Sequence, residues 1–147
     1  MYRVLILWAP DTVENKAVVS SVARALESDS SRATALKAAE ATIADINGSD
    51  VVVFGAGRTG AEDMPADFAD FLRVFKGVTL AGKTAGFFSF GPEKATARLR
   101  KSLKDTEIAE IDEDPLFNGQ TQETPAIITQ WARKLIGFHQ EVRNGRT

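Results

Sequence analysis

The residues whose spacing most clearly suggests chemistry are Gly55-Ala56-Gly57-Arg58-Thr59-Gly60, directly after the apolar run Val51-Val52-Val53-Phe54. Glycines at this spacing let a backbone approach a phosphate, as G-x-G-x-x-G does in dinucleotide-binding domains. That mechanism needs the next helix to open at the glycines, with its N-terminus facing the pyrophosphate. Here Ala61-Glu62-Asp63-Met64 separates them from Pro65, the first residue suited to start a helix. The following apolar run ends Phe88-Ser89, without an acid to hold a ribose. The glycine segment is therefore expected to be a turn that lines a site, and not a nicotinamide fingerprint. Two further loops close apolar runs in the same way: Pro10-Asp11-Thr12-Val13-Glu14-Asn15, and Ser89-Phe90-Gly91-Pro92.

Particular residues exclude other chemistries that use loops of this kind. A phosphoacceptor domain of the response-regulator type needs an aspartate at the end of its third strand and a lysine after its fifth. Here the corresponding segments end Phe54-Gly55 and Ile111-Asp112. A serine triad needs a histidine beside Ser89. The one histidine, His139, follows the apolar face of the last helix and is expected to be solvated. The Ser89 hydroxyl is expected instead to tie down its own loop. The chain has no cysteine, which removes disulfides, thiolate metal sites and cysteine nucleophiles. Its net charge of −2 provides no basic face for nucleic acid.

The elements that must position these loops follow from periodicity. A chain of 147 residues, 44% hydrophobic and 26% charged, suits one domain with a full core. Segments 4–8, 33–36, 50–54, 84–89 and 107–111 read as strands. The first is apolar throughout, as a strand buried on both faces requires, and the last alternates like an edge strand. A helix capped by Asn15 carries Val18, Val22 and Leu26 on one stripe, with Val19 and Ala23 beside them. A short helix spans 40–46. Another opens at Pro65, with Phe68, Phe71, Leu72 and Phe75 inward, and a third opens at Pro92, with Ala95, Leu99 and Leu103 inward. Ile127, Ile128, Trp131 and Leu135 mark the last. The pattern predicts an α/β three-layer sandwich around a five-stranded parallel sheet of order 2-1-3-4-5. Residues 1–140 form the expected single domain and 141–147 a loose polar tail. No apolar run has the length of a signal peptide core with its flanks or of a membrane span, so a cytoplasmic protein without membrane contact is expected. In this strand order the three loops meet at the crevice outside the carboxyl ends of strands one and three, with 89–92 opposite.

From Asp50 to about Leu103 the chain resembles the flavodoxin family, most nearly the flavodoxin domains of diiron flavoproteins. Those read approximately G-S-P-T-Y-N-G-x-M-P-x-D-x-x-x-F-L. This chain has Gly55-Ala56-Gly57-Arg58-Thr59-Gly60, then Met64-Pro65-Ala66-Asp67 leading to Phe71-Leu72. A later family segment is similar to L-x-G-K-x-x-x-x-F-G-S-Y-G-W; here Leu80-Ala81-Gly82-Lys83-Thr84 leads to Phe88-Ser89-Phe90-Gly91-Pro92. The likeness extends over essentially the whole chain, through the first helix and Trp131-Ala132. It implies a flavodoxin-like fold, FMN as cofactor and electron transfer to a redox partner protein. The flavin would carry the chemistry, with position and electrostatics supplied by the protein.

The resemblance assigns the cofactor site to Pro10, Asp11, Thr12, Val13, Glu14 and Asn15, to Gly55, Ala56, Gly57, Arg58, Thr59 and Gly60, and to Ser89, Phe90, Gly91 and Pro92. All three loops depart from the family's chemistry. The family's phosphate loop resembles T-x-T-G-N-T; here Thr12 keeps a hydroxyl, Asn15 a polar group, and Val13 replaces a glycine. Asp11 and Glu14 bring negative charge towards a phosphate, and at an effective dielectric of about 20 a like charge ~4 Å away costs on the order of 4 kcal/mol. Thr59 and Pro92 stand where the family has aromatics, which leaves Phe90 to cover one face of the ring. Arg58 is available to neutralise a phosphate or to stack on the ring. Glu110, Asp112, Glu113 and Asp114 are expected at the same end of the sheet, where the resemblance implies acidic surroundings that destabilise a reduced, anionic flavin. A second reading stays open: a cofactor-free module that keeps the fold and binds another protein at the former flavin crevice.

Overall fold

Strands β1 (Tyr2–Ala9), β3 (Val51–Ala56) and β4 (Thr84–Phe90) are buried on both faces over most of their length, so helices must cover both sides. The structure is a computed structural model and describes residues 1–57, 64–75, 77–91, 93–117 and 124–145. With β2 (Ser31–Lys37) and β5 (Ala109–Glu110), the strands form a parallel sheet of order β2-β1-β3-β4-β5, the order expected from the sequence. Side chains alternate between two cores, as the period of two in a strand demands. On one face Leu5, Leu7, Val52, Phe54, Ala85 and Phe87 pack under α2 (Ile43–Asn47), α3 (Ala66–Val74) and α4 (Ala97–Leu103). On the other, Val4, Ile6, Trp8, Val53, Phe88 and Phe90 pack under α1 (Val13–Leu26) and α5 (Thr124–Arg143). Among the described residues no helix is long and apolar enough to cross a membrane.

The α3 stripe is buried as its spacing requires. Phe68, Phe71 and Phe75 are in the core and Leu72 packs at its margin, while the Phe54 ring contacts Phe68, Phe71 and Phe87 at centroid distances of 6.3, 5.8 and 5.4 Å.

The fifth strand departs from expectation. Only Ala109–Glu110 of the segment 107–111 pairs, against the start of β4, and a sixth strand, β6 (Leu116–Phe117), resumes the same edge opposite Ser89 and Phe90. Between these pairings the chain has five residues where β4 has three, so the segment 111–115 forms a loop at the sheet edge. Glu107, expected to begin the strand, instead adopts a left-handed turn with φ 66°. Helix α4 opens at Ala97, several residues beyond Pro92, which lies outside the described residues. Ile127 is 41% exposed and leaves the inward stripe to Ile128, Trp131, Ala132 and Leu135. Glu141 to Arg143, read as tail, are the last turn of α5.

That longer helix also corrects the expectation for His139. The inward stripe continues from Ile128 and Leu135 to His139, which is fully buried. Its Nδ1 shares a 2.7 Å hydrogen bond with Thr84 Oγ1, and its ring meets Tyr2 edge-on at 4.8 Å. Nε2 is buried without a hydrogen-bond partner among the described residues. Burial lowers the pKa of the imidazole below its usual value; Asp50 opposes this, and Arg143 and Lys83 reinforce it.

Two outcomes follow from these cores. Phe71→Ala is expected to lose about 3–5 kcal/mol in chemical denaturation, and an unchanged midpoint would place α3 outside the core. His139 binds its proton more readily unfolded than folded. Its contribution is therefore complete above about pH 6.5 and is lost as the pH falls from there through the lower folded-state value. The urea midpoint is expected to fall as the pH is lowered below about 6.5, and to fall less in His139→Gln; equal slopes would refute the assignment.

Candidate functional site

The start of α1 is shaped by local hydrogen bonding. Thr12 is extended (φ −123°, ψ 161°), and its Oγ1 accepts the Asn15 backbone N–H at 3.1 Å, which makes Thr12 the N-cap in place of the expected Asn15. The Asn15 side chain turns back and donates from Nδ2 to the Pro10 carbonyl at 3.0 Å. Next to this turn, the Gly57 N–H donates to Ala9 O at 3.0 Å and joins the ends of β1 and β3.

A cavity of about 340 Å³ opens where these ends meet the end of β4, outside the carboxyl ends of the strands. Pro10, Thr12, Glu14, Asn15, Gly57, Phe90, Gly91 and Glu93 line it. A Cβ on Gly57 would stand 3.1 Å from Pro10 Cδ and 3.5 Å from Phe90 Cβ, so the bare glycine keeps the gap between these two walls open. Depressions of about 410 Å³ between α3 and α4 and about 460 Å³ beside β2 and α2 are larger. Both lie away from the crevice that the topology creates, so the smaller cavity is the candidate site.

The structure brings together seven of the residues expected there: Pro10, Thr12, Glu14, Asn15, Gly57, Phe90 and Gly91. Others face elsewhere. Asp11 forms an ion pair with Lys37 across to β2, Oδ2 to Nζ 2.9 Å, and its hydrogen bond and charge raise the pKa of that ammonium. Val13 is 85% exposed. Gly55 and Ala56 belong to β3, where a Cβ on Gly55 would stand 2.4 Å from Phe88 Cζ, and Ala56 is buried in the α3 core. Ser89 is fully buried, and its Oγ accepts the Ala95 N–H at 2.9 Å, so the hydroxyl ties down its own connection. Arg58, Thr59, Gly60 and Pro92 lie outside the described residues. Phe90 is only 6% exposed and meets Phe88 edge-on at 5.2 Å, so it belongs to the core as well as to the cavity wall.

Glu93 was missed. It directly follows the loop that had been bounded at Pro92, and a helix starting at Pro92 would have absorbed it; the late start of α4 leaves it in the connection. The acidic run after β5 is not at this cavity. Glu110 pairs beside Ala85, five residues and about 16 Å of strand from Phe90. Burial pushes its carboxyl pKa up, partly offset by Arg100 and Lys104. Asp114 accepts from Thr96 Oγ1 and lies 3.9 Å from Arg100, while Glu113 pairs with Lys134 at 2.9 Å. The carboxylates at the cavity are Glu14 and Glu93 instead.

Comparison of this architecture with solved structures gives long matches at low identity. A short-chain flavodoxin associated with a non-canonical PDU bacterial microcompartment is 18% identical, with a TM-score of 0.81 over 95% of this chain and 99% of that one. The fold is that of the flavodoxins. Oxidised flavodoxin 1 from Bacillus cereus is 18% identical, with a TM-score of 0.79 over 92% of this chain and 97% of that one. A Fusobacterium nucleatum flavodoxin bound to flavin mononucleotide is 13% identical, with a TM-score of 0.74 over 94% and 99%. No protein-family model matches the chain, and no curated protein matches it.

In this flavodoxin fold the Thr12 cap is the hinge between cavity and helix. Thr12→Ala is expected to lower stability by about 1 kcal/mol in urea denaturation, whereas Thr12→Ser, which keeps the acceptor, is expected to lose less. Equal losses in the two variants would assign the effect to packing.

Proposed function

We propose that the protein holds a flavin in the cavity between the β1–α1 and β4–α4 connections and carries electrons to a protein partner. The observation that carries this reading is the gap at Gly57, kept open between Pro10 and Phe90 in a crevice of flavodoxin topology. The Fusobacterium nucleatum protein of the same fold is bound to flavin mononucleotide, which supports a flavin as the occupant. A bound flavin supplies the redox chemistry. The chain's own residues bind and orient it: Pro10 and Phe90 offer apolar surface to a ring, while Thr12 and Asn15 offer polar atoms to a polyol chain. Glu14 and Glu93 also line the cavity, so a bound FMN keeps its terminal phosphate away from their carboxylates.

A cofactor-free module docking a protein beside the same crevice is favoured by one feature, the 85% exposed Val13 that opens α1 between Thr12 and Glu14. Titration separates the two readings. Quenching of free flavin fluorescence by the purified protein is expected to saturate. Gly57→Val, which fills the gap, is expected to weaken binding at least about tenfold, or about 1.4 kcal/mol. Absence of saturable quenching in the parent protein would leave the cofactor-free module as the function.

A further inference from the structure

Helix α2 has five residues, and Ile46 is the one among them that is buried in the core. So short a helix leaves a cavity of about 460 Å³ between itself and strands β1 and β2. Leu5, Leu36 and Ala44 give it apolar walls, and the segments that line it, 3–5, 32–36 and 44–49, are described without a gap. Arg3 and Arg32 line the same cavity. They are register partners on neighbouring strands, so their side chains leave the sheet on the face that also carries Leu5 and Leu36. Like charges placed side by side on adjacent strands repel. Among the described residues neither guanidinium forms an ion pair with a carboxylate. Arg32 Nη1 donates to Ser28 O at 3.0 Å and to Ser31 O at 3.4 Å, which holds that guanidinium in place without neutralising it. Two acids of the same region are engaged with other groups. Asp45, which lines the cavity, accepts from Thr42 N–H and Thr42 Oγ1, each at 2.9 Å. Asp50 accepts the Arg3 backbone N–H at 2.8 Å and lies 3.8 Å from Arg143.

We propose that this cavity is a second binding site, which takes a small organic phosphate monoester with its phosphate at Arg3 and Arg32 and its apolar part against Leu36 and Ala44. A phosphate monoester carries a charge of about −1.5 to −2 at neutral pH, which balances two guanidinium groups where a single carboxylate balances one. The planar fork of arginine matches two phosphate oxygens at once, and a charge-assisted bond of this kind is stronger than one between neutral groups. The volume is that of a pocket for a small molecule, for which about 300–1,000 Å³ is usual, and apolar walls with a few charged groups at one end are the ordinary lining. This site is independent of the flavin reading. Seven residues of β1 separate Arg3 from Pro10, about 23 Å of extended chain, so a ligand at α2 leaves the crevice free.

The test is a calorimetric titration of the full chain with phenyl phosphate, at ~50 mM salt and about pH 8, where the phosphate is a dianion. Saturable binding is expected. Inorganic phosphate, which lacks the apolar part, and benzyl alcohol, which lacks the charge, are each expected to bind at least about tenfold more weakly. Arg3→Gln and Arg32→Gln are each expected to weaken phenyl phosphate at least about tenfold, while an unchanged urea midpoint shows that both variants fold. Arg3→Lys, which keeps the charge and loses the fork, is expected to fall between the parent protein and Arg3→Gln. Affinity is expected to drop at ~0.5 M salt and again near about pH 5, where the phosphate loses its second charge. Absence of saturable binding of phenyl phosphate would overturn the proposal, as would binding that both glutamine variants leave unchanged. Inorganic phosphate binding as tightly as phenyl phosphate would overturn it as well, since the cavity walls would then take no part.

Discussion

The ring of Phe88 fills the space beside Gly55 that any side chain there would occupy, and much of the molecule is arranged around that contact. It brings β3 and β4 together at their carboxyl ends, where the crevice begins. The same ring lies 5.1 Å from Phe117 and 5.9 Å from Trp131, so β6 and α5 are anchored to it. It also meets Phe90 at 5.2 Å, edge-on. Aromatic contacts of this kind contribute about 0.5–1.5 kcal/mol each beyond their buried area, and here they are shared within one cluster. One wall of the cavity is therefore a core residue seen from its outer edge.

The charges around that wall are distributed with some economy. Asp11 is drawn towards β2 by Lys37, Asp114 meets Thr96 and Arg100, and Glu113 meets Lys134. Arg100 also lies over the Phe87 ring at 4.2 Å, so its guanidinium serves the core as well as the carboxylates. Glu14 and Glu93 line the crevice. The start of α1 turns the positive end of a helix dipole towards this place.

Strand and helix signals were local, and most could be read directly. The apolar runs of β1 and β3, the alternation that divides Leu5 and Leu7 from Val4 and Ile6, and the phenylalanine stripe of α3 all specify burial within a few residues. So did the strand order, which follows from parallel strands joined by helices. The candidate crevice was legible as the place where strand ends meet, because topology puts the carboxyl ends of β1, β3 and β4 together. Which atom of each loop faces inward was not legible: neighbouring Asp11 and Thr12 point to different partners, and one turn of backbone decides between them.

The sequence alone determined the layers, the sheet order and the end of the sheet that carries the crevice, since these depend on periodicity and on short connections. Only the tertiary structure decided the rest. The fifth strand divides because β4 offers pairing at Ala85 and again at Ser89, with fewer residues between them than the chain supplies on its own side. His139 is buried because α5 runs on and sets it against Thr84, 55 residues away. Asp11 leaves the crevice because β2 returns Lys37 to its side. In each case the deciding partner is remote in sequence, and a residue's local pattern holds no information about the charge or the vacancy that another segment brings to it.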